Sequence, residues 1–162
     1  MKNVHPWLVR CIGVALAALL FSGVAAATTL SFNATLAFTE QVGGGTVGCF
    51  LTGTISGEGS ATRLGSLSLA SADCINPISA SSFLFVSDKV VLGVADGDQI
   101  WAAYAGALSA TDGTIHGTYF VFGGTGRFKH AKGLGTIAGA EAIDFGTGTG
   151  TGQIQLKGTL TY

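Results

Sequence analysis

Glu141 is the residue of this chain whose type and position are best suited to chemistry. In the alternating segment around it, Glu141 shares one face of a predicted strand with residues 137, 139, 143 and 145. If this bulkier face lines the core, the carboxyl group must be paired or have its pKa raised. Either state suits general acid–base catalysis. The alternative is a reversed parity or a position at the rim, where Glu141 is solvated.

Arg63, His116 and Tyr104 are candidates for binding a ligand or for acting beside Glu141. His116 falls on the same strand face as Phe120, which predicts an interior polar group; the alternative is a satisfied histidine or one at the rim. Tyr104 is one of several aromatic residues that would line either a pocket or an ordinary core.

Motifs for metal, cofactor and nucleophilic chemistry are missing from the sequence. There is no HExxH, P-loop or Gly-x-Ser-x-Gly pattern. His116 and His130 lack metal-ligand spacing with each other or with a cysteine. Asp96-Gly97-Asp98 is typical of a turn, since the remaining ligands of a calcium loop are absent. We therefore predict neither a metal site nor a cofactor.

Period-2 alternation recurs along the chain and predicts an all-β domain. Turn signals such as Asp96-Gly97-Asp98 and Thr111-Asp112-Gly113 separate the alternating segments, which favours an up-and-down barrel or a sandwich. A change of parity near Gly65 predicts a β-bulge. Residues 82–94 are apolar on both faces, which predicts a more buried strand. The eight predicted strands cover residues 29–39, 47–55, 61–72, 82–94, 99–110, 114–122, 134–145 and 153–162.

The first 27 residues have the organisation of a cleavable signal peptide. Lys2, His5 and Arg10 precede an apolar core at residues 11–24, and three alanines at 25–27 suit a signal peptidase. The apolar segment is shorter than the roughly 20 residues that span a bilayer. We predict export to the periplasm or the exterior, with residues 28–162 as one domain and no membrane attachment after cleavage.

Charge and cysteine content follow from this cleavage. Without Lys2 and Arg10, 6 basic and 9 acidic groups remain, a formal charge of −3 that argues against nucleic acid as a partner. Cys49 and Cys74 form an even pair in an oxidising compartment, which predicts a disulfide; the alternative is two buried thiols.

The segment from Phe122 to Gly133 contains the pattern Gly-Gly-Thr-Gly-Arg-Phe-x-x-Ala-x-Gly. This pattern resembles the plant dirigent proteins, the allene oxide cyclases and small exported bacterial proteins of that barrel type. The resemblance implies an eight-stranded antiparallel up-and-down β-barrel that works without a cofactor. In a functional interpretation, Arg127 at the barrel mouth holds an anionic or carbonyl group and Phe128 contributes to the site. Alternatively, Arg127 bonds to loop carbonyls while Phe128 plugs the barrel end.

Three functions are compatible with these features. The first is a noncatalytic exported barrel that binds a small apolar or phenolic ligand, or a surface partner. The second is a cofactor-free isomerase, cyclase or dirigent-like activity, which requires a cavity of several hundred Å³. The third is an outer-membrane or structural barrel, suggested by the alternation of residues 154–162 up to a terminal tyrosine. The resemblance leaves homo-oligomer formation open.

Overall fold

The computed structural model describes residues 28–144 and 146–162. In this part of the chain eight antiparallel strands, each paired with its neighbours in sequence, form a closed barrel in which β8 returns to β1. The prediction of an eight-stranded antiparallel up-and-down barrel is therefore confirmed. The predicted signal peptide, residues 1–27, lies outside the described residues, as does Phe145. The strands are β1 (Thr29–Thr46), β2 (Cys49–Ala61), β3 (Gly65–Ser79), β4 (Ser82–Val94), β5 (Gln99–Ser109), β6 (Thr114–Gly124), β7 (Lys132–Asp144) and β8 (Thr149–Thr161).

The alternation of β1 illustrates how the sequence fills the barrel. Its inward residues, which include Leu30, Phe32, Leu36 and Phe38, are buried, while the residues between them are exposed and mostly Ser, Thr or Asn. Because successive side chains of a strand point to opposite faces, this pattern closes an apolar core inside a polar wall. For β1 this is the reverse of the apolar exterior that a membrane barrel presents to lipid.

A bulge in β4 explains why residues 82–94 are apolar on both faces. The pairing with β5 shifts between Ser87 and Val90, and the pairing with β3 shifts at the same level. Asp88 and Lys89 are exposed while Ser87 and Val90 are both buried, so the inward side changes from odd-numbered to even-numbered residues. The bulge predicted at Gly65 is wrong: a turn at residues 62–64 joins β2 to β3 there, and the change of parity results from that turn.

The two ends of the barrel are built differently. One end, here called the plugged end, carries the β2–β3, β4–β5 and β6–β7 connections. A short 3-10 helix, Gly126–Phe128, inserts the fully buried ring of Phe128 there, 4.7 Å from the ring of Tyr162. The other end, here called the pocket end, carries the four remaining turns. A disulfide between Cys49 and Cys74 joins β2 to β3 near it, as the sequence predicts.

Candidate functional site

A pocket at the pocket end is lined by all eight strands, and their contributions alternate in chemistry. Each odd-numbered strand supplies one titratable side chain, whereas the even-numbered strands supply only apolar ones. The residues that line the pocket include no Lys, Arg or His. Four polar groups thus converge in an otherwise apolar space without a counter-charge. The titratable residues are Glu40, Asp73, Tyr104 and Glu141, and the apolar residues of the even strands are Leu51, Ile55, Phe83, Phe85, Ile115 and Ile154.

Glu40 and Glu141 form a buried carboxyl pair. Their exposed fractions are only 5% and 8%, and the side chains are hydrogen-bonded to each other. Burial, followed by the hydrogen bond and the charge of Glu141, raises the pKa of Glu40 to about 8. Burial also raises the pKa of Glu141. Since two ionised carboxylates have no proton to donate, the pair retains one proton near neutral pH.

Asp73 is the third buried carboxyl group, and it belongs to a hydroxyl network. The Tyr104 hydroxyl and Ser71 Oγ, the latter at 3.2 Å, donate hydrogen bonds to Asp73. Ser71 Oγ also lies 2.9 Å from Ser87 Oγ. Ser87 is the last inward residue before the β4 bulge. Burial raises the pKa of Asp73 to about 7; the Tyr104 hydrogen bond opposes this rise and the charge of Glu40 adds to it. Burial and the neighbouring Asp73 raise the pKa of Tyr104, so its hydroxyl remains a donor.

Hydrogen-bond acceptors in the pocket exceed the donors. Oε1 of Glu40 and Oε1 of Glu141 are both buried, and no donor from the described residues reaches either atom. The carboxyl groups occupy space that glycines leave free: a Cβ at Gly53 would overlap Oε1 of Glu40, and a Cβ at Gly150 would overlap Oε1 of Glu141. We refer to Glu40, Asp73 and Glu141 as the carboxyl cluster.

The free space beside the carboxyl cluster is about 80 Å³. Buried residues, among them Phe38 and Ile137, line its inner part, whereas Leu51, Ile75 and Phe83 near the turns are only half-buried. This volume is below the several hundred Å³ that the cyclase hypothesis requires. The cavity suits a molecule of a few heavy atoms, or the tip of a larger one.

The predicted site residues are divided between distant parts of the barrel. Glu141 and Tyr104 both line the pocket, which agrees with the interior interpretation of each. Arg127 is at the plugged end, where its guanidinium lies 3.1 Å from Asp96 in an ion pair and 4.8 Å from the ring centroid of Phe128.

Arg63 and His116 also lie away from the pocket lining. Arg63 occupies the exposed β2–β3 turn at a φ of 69°, and the exposed His116 points outward from β6. The interior interpretation of His116 is wrong, because Ile115 and Tyr119 are among the buried residues of that strand. The alternative of a plug and turn describes the placement of Phe128 better than a role in the pocket.

Glu40 and Asp73 are the functional candidates that the sequence analysis misses. Glu40 continues the inward series of β1 by one step beyond Phe38, but the first strand is predicted to end at residue 39. Asp73 continues the inward series that contains Leu67 and Leu69. Extending each alternation by one or two steps would have placed both carboxyl groups inside.

No protein-family model matches this chain, and no curated protein matches it significantly. In the part of the chain that the structure describes, no group of His, Cys, Asp and Glu side chains is arranged to hold a metal ion. Nor does any helix within the described ranges have the length and apolarity needed to cross a membrane. The likeness of residues 122–133 to dirigent and allene oxide cyclase barrels stays a prediction.

Proposed function

We propose that this barrel binds a small, largely apolar molecule, which enters at the pocket end and directs one polar group toward the carboxyl cluster. The observation that carries the proposal is the convergence of three buried carboxyl groups in a cavity with apolar walls. Burying such groups without a counter-charge costs free energy. Binding of a ligand to these carboxyl groups would explain why they are buried.

A panel of short-chain compounds tests this proposal directly. Alcohols, phenol, ketones, amines and acids of four to seven heavy atoms are titrated into ¹⁵N-labelled protein, and amide shifts are followed by NMR. We expect at least one compound to shift the amides around Glu40, Asp73 and Glu141 without moving those around Phe128. Affinity will be modest, since even the best small ligands gain only about 1.5 kcal/mol per heavy atom. If no compound perturbs the pocket end, the proposal fails.

Matched variants separate pocket binding from surface binding. Ile55 lines the pocket and Ile78 is an exposed residue of β3 outside the lining. We expect Ile55→Phe to fill the cavity and abolish the shifts, and Ile78→Phe to leave them unchanged. Equal loss of the amide shifts in both variants would mean that the compounds bind outside the pocket.

A cofactor-free isomerase or cyclase is the second candidate, and the proton held between Glu40 and Glu141 favours it. A carboxyl group that is still protonated near pH 7 can donate to a carbonyl oxygen while an ionised neighbour removes a proton from the adjacent carbon. Asp73, with its pKa raised to about 7, is suited to the second role. The small cavity restricts such chemistry to a compact reacting group.

Hydrogen exchange of butanone in D₂O tests this candidate without a known substrate. Removal of an α-proton and return of a deuteron gives an exchange rate that NMR measures. We expect Asp73→Asn and Glu40→Gln to lower the rate by about 10²-fold, with Glu58→Gln, on the exposed face of β2, as the control. Exchange no faster than in buffer would contradict the isomerase or cyclase candidate, and it would leave the proposed binding function unaffected.

Export is the location that we infer for this function. The Cys49–Cys74 disulfide is compatible with an oxidising compartment, where such bonds persist. Detection of the oxidised mature protein, beginning near Thr28, in the periplasmic or culture fraction would test the inference. Its recovery with an intact N-terminus from the cytoplasm would contradict it.

A further inference from the structure

The pocket contains an excess of hydrogen-bond acceptors that its own residues do not satisfy. Oε1 of Glu40 and Oε1 of Glu141 are buried and receive no donor from the described residues, and both side chains line the cavity. The Tyr104 hydroxyl is already committed to Asp73. A ligand that completes this site must therefore bring donors of its own, because buried polar atoms without partners are costly.

The charge of the pocket points to the sign of the ligand. Glu40 on β1, Asp73 on β3 and Glu141 on β7 are near enough for their charges to interact, with Tyr104 of β5 beside them. Strands β2, β4, β6 and β8 present no titratable group to the cavity. An anionic ligand would meet like charges at low dielectric, whereas a cation would relieve their mutual repulsion.

The walls of the pocket specify the remainder of the ligand. The rings of Phe38, Phe85 and Tyr104 line the cavity, and aromatic faces attract a desolvated cation. A free volume of about 80 Å³ accepts an ammonium group and a short hydrocarbon chain. The described residues do not gather around a metal ion, so a compact hard cation fits less well than an organic one.

We propose that the pocket selects a small primary amine, bound as its ammonium ion, with the N–H groups directed at Glu40 and Glu141 and the hydrocarbon chain against the apolar walls. This inference rests on the proposed binding function and names its ligand class. The ammonium group supplies three donors and one positive charge, which matches two unpartnered acceptors and an uncompensated cluster. Binding to the protonated pair releases its proton, so affinity rises with pH.

Butylamine, 1-butanol and butyrate provide a chain-matched test by NMR titration and calorimetry. At pH 8 we expect butylamine to bind at least about tenfold more tightly than 1-butanol, a difference of about 1.4 kcal/mol, and butyrate not to bind measurably. Below the pKa of the pair, release of one proton lowers the amine affinity about tenfold per pH unit. Calorimetry in buffers of different ionisation enthalpy measures that proton directly.

Carboxyl variants locate the ammonium ion. We expect Glu40→Gln and Glu141→Gln each to weaken butylamine by about tenfold or more while leaving 1-butanol within about twofold; Glu58→Gln is the control. If a variant does not fold, the inference is tested on the unmodified protein alone, by the relative affinities of the three ligands and by the release of the proton. Binding of 1-butanol or butyrate as tight as that of butylamine overturns the inference but keeps the binding function. No binding by any of the three, nor by the wider panel, overturns both.

Discussion

The plugged end and the pocket end of this barrel use polar groups in opposite ways. At the plugged end the charges lie outside: Arg127 pairs with Asp96 in solvent, and the ring of Phe128 enters the barrel. At the pocket end three carboxyl groups lie inside, and the described residues that line the pocket include no cationic side chain. The first arrangement costs little desolvation and closes the core, whereas the second raises the pKa of each carboxyl group.

This difference shows that the most conspicuous motif of the sequence does not contain the residues that line the pocket. The glycine-rich segment around Phe128 stands out in the sequence because tight turns require unusual residues: Gly126 has a φ of 50° and lies against the Asp98 carboxylate. The carboxyl cluster is inconspicuous, because its members are single acidic residues in ordinary strands. In the structure the prominent motif packs the plugged end, whereas the buried titratable groups come from scattered residues.

Phe128→Ala gives the largest expected loss of stability, because it removes the plug. We expect the free energy of unfolding to fall by about 3–5 kcal/mol, measured by urea denaturation. Phe122→Ala is the matched control, since Phe122 is 47% exposed and should cost below about 1 kcal/mol. NMR shifts caused by a pocket ligand should persist in Phe128→Ala under native conditions. Equal losses of unfolding free energy in the two variants would contradict the role of Phe128 as the plug of this barrel end.

Replacing both Cys49 and Cys74 by serine tests the bond that ties β2 to β3 near the pocket end. The disulfide spans 25 residues of sequence, and its loss should lower the free energy of unfolding by about 3 kcal/mol. A reductant should destabilise the unmodified protein by a similar amount and leave the double variant unaffected. A reductant effect on the double variant would show that something other than this bond responds.

The pH dependence of stability distinguishes the pocket end from the plugged end. The pKa of Glu40 is about 8 and that of Asp73 about 7 in the folded protein, both above their ordinary values. Such groups contribute to the free energy of unfolding, and this contribution is fully present below their unfolded pKa, near pH 4. It is lost as the pH rises through their folded pKa values of about 7 and about 8. We expect the free energy of unfolding to decrease by at least about 2 kcal/mol between pH 5 and pH 8.

Glu40→Gln should remove much of that decrease. The amide can still donate a hydrogen bond to Glu141 but cannot ionise, so the variant should match the unmodified protein at pH 5 and exceed it in stability at pH 8. Glu58→Gln, which alters an exposed carboxyl group, should leave the profile unchanged. Parallel profiles for Glu40→Gln and the unmodified protein would mean that Glu40 is not protonated at neutral pH.

The sequence predicts the barrel well because alternation and turn chemistry are local. The inward position of Glu141 follows from the parity of β7 alone, and the pairing of Cys49 with Cys74 follows from there being only two cysteines after residue 27. The prediction for His116 fails because it depends on which face of β6 is interior, and both faces carry apolar residues.

The composition of the site could not be predicted because it depends on register around a closed barrel. Glu40 and Glu141 are about a hundred positions apart, and they meet only because β1 and β7 both pair with β8 at the level of Gly150 and Gly152. No local pattern encodes that level. The β4 bulge has the same character, since it sets the inward position of Ser87 through pairing with both neighbours.

Gly150→Ala produces the smallest expected effect and tests the geometry of the carboxyl pair most closely. A Cβ at this position would overlap Oε1 of Glu141, and the flexible end of that side chain can move aside. We therefore expect a cost of about 1 kcal/mol, together with weaker binding of a pocket ligand. Gly44→Ala is the control, since no atom lies within 4 Å of a Cβ added there.

A double-mutant cycle with Glu141→Ala isolates this contact. Once the Glu141 side chain is removed, the added methyl group has free space, and we expect most of the cost of Gly150→Ala to disappear, giving a coupling of about 1 kcal/mol. Urea denaturation of the four proteins measures the coupling. Additive effects would mean that Glu141 does not lie over Gly150, and the carboxyl pair with Glu40 would then lose its structural basis. Coupling at this glycine would instead show that the pocket end is shaped to hold its carboxyl groups.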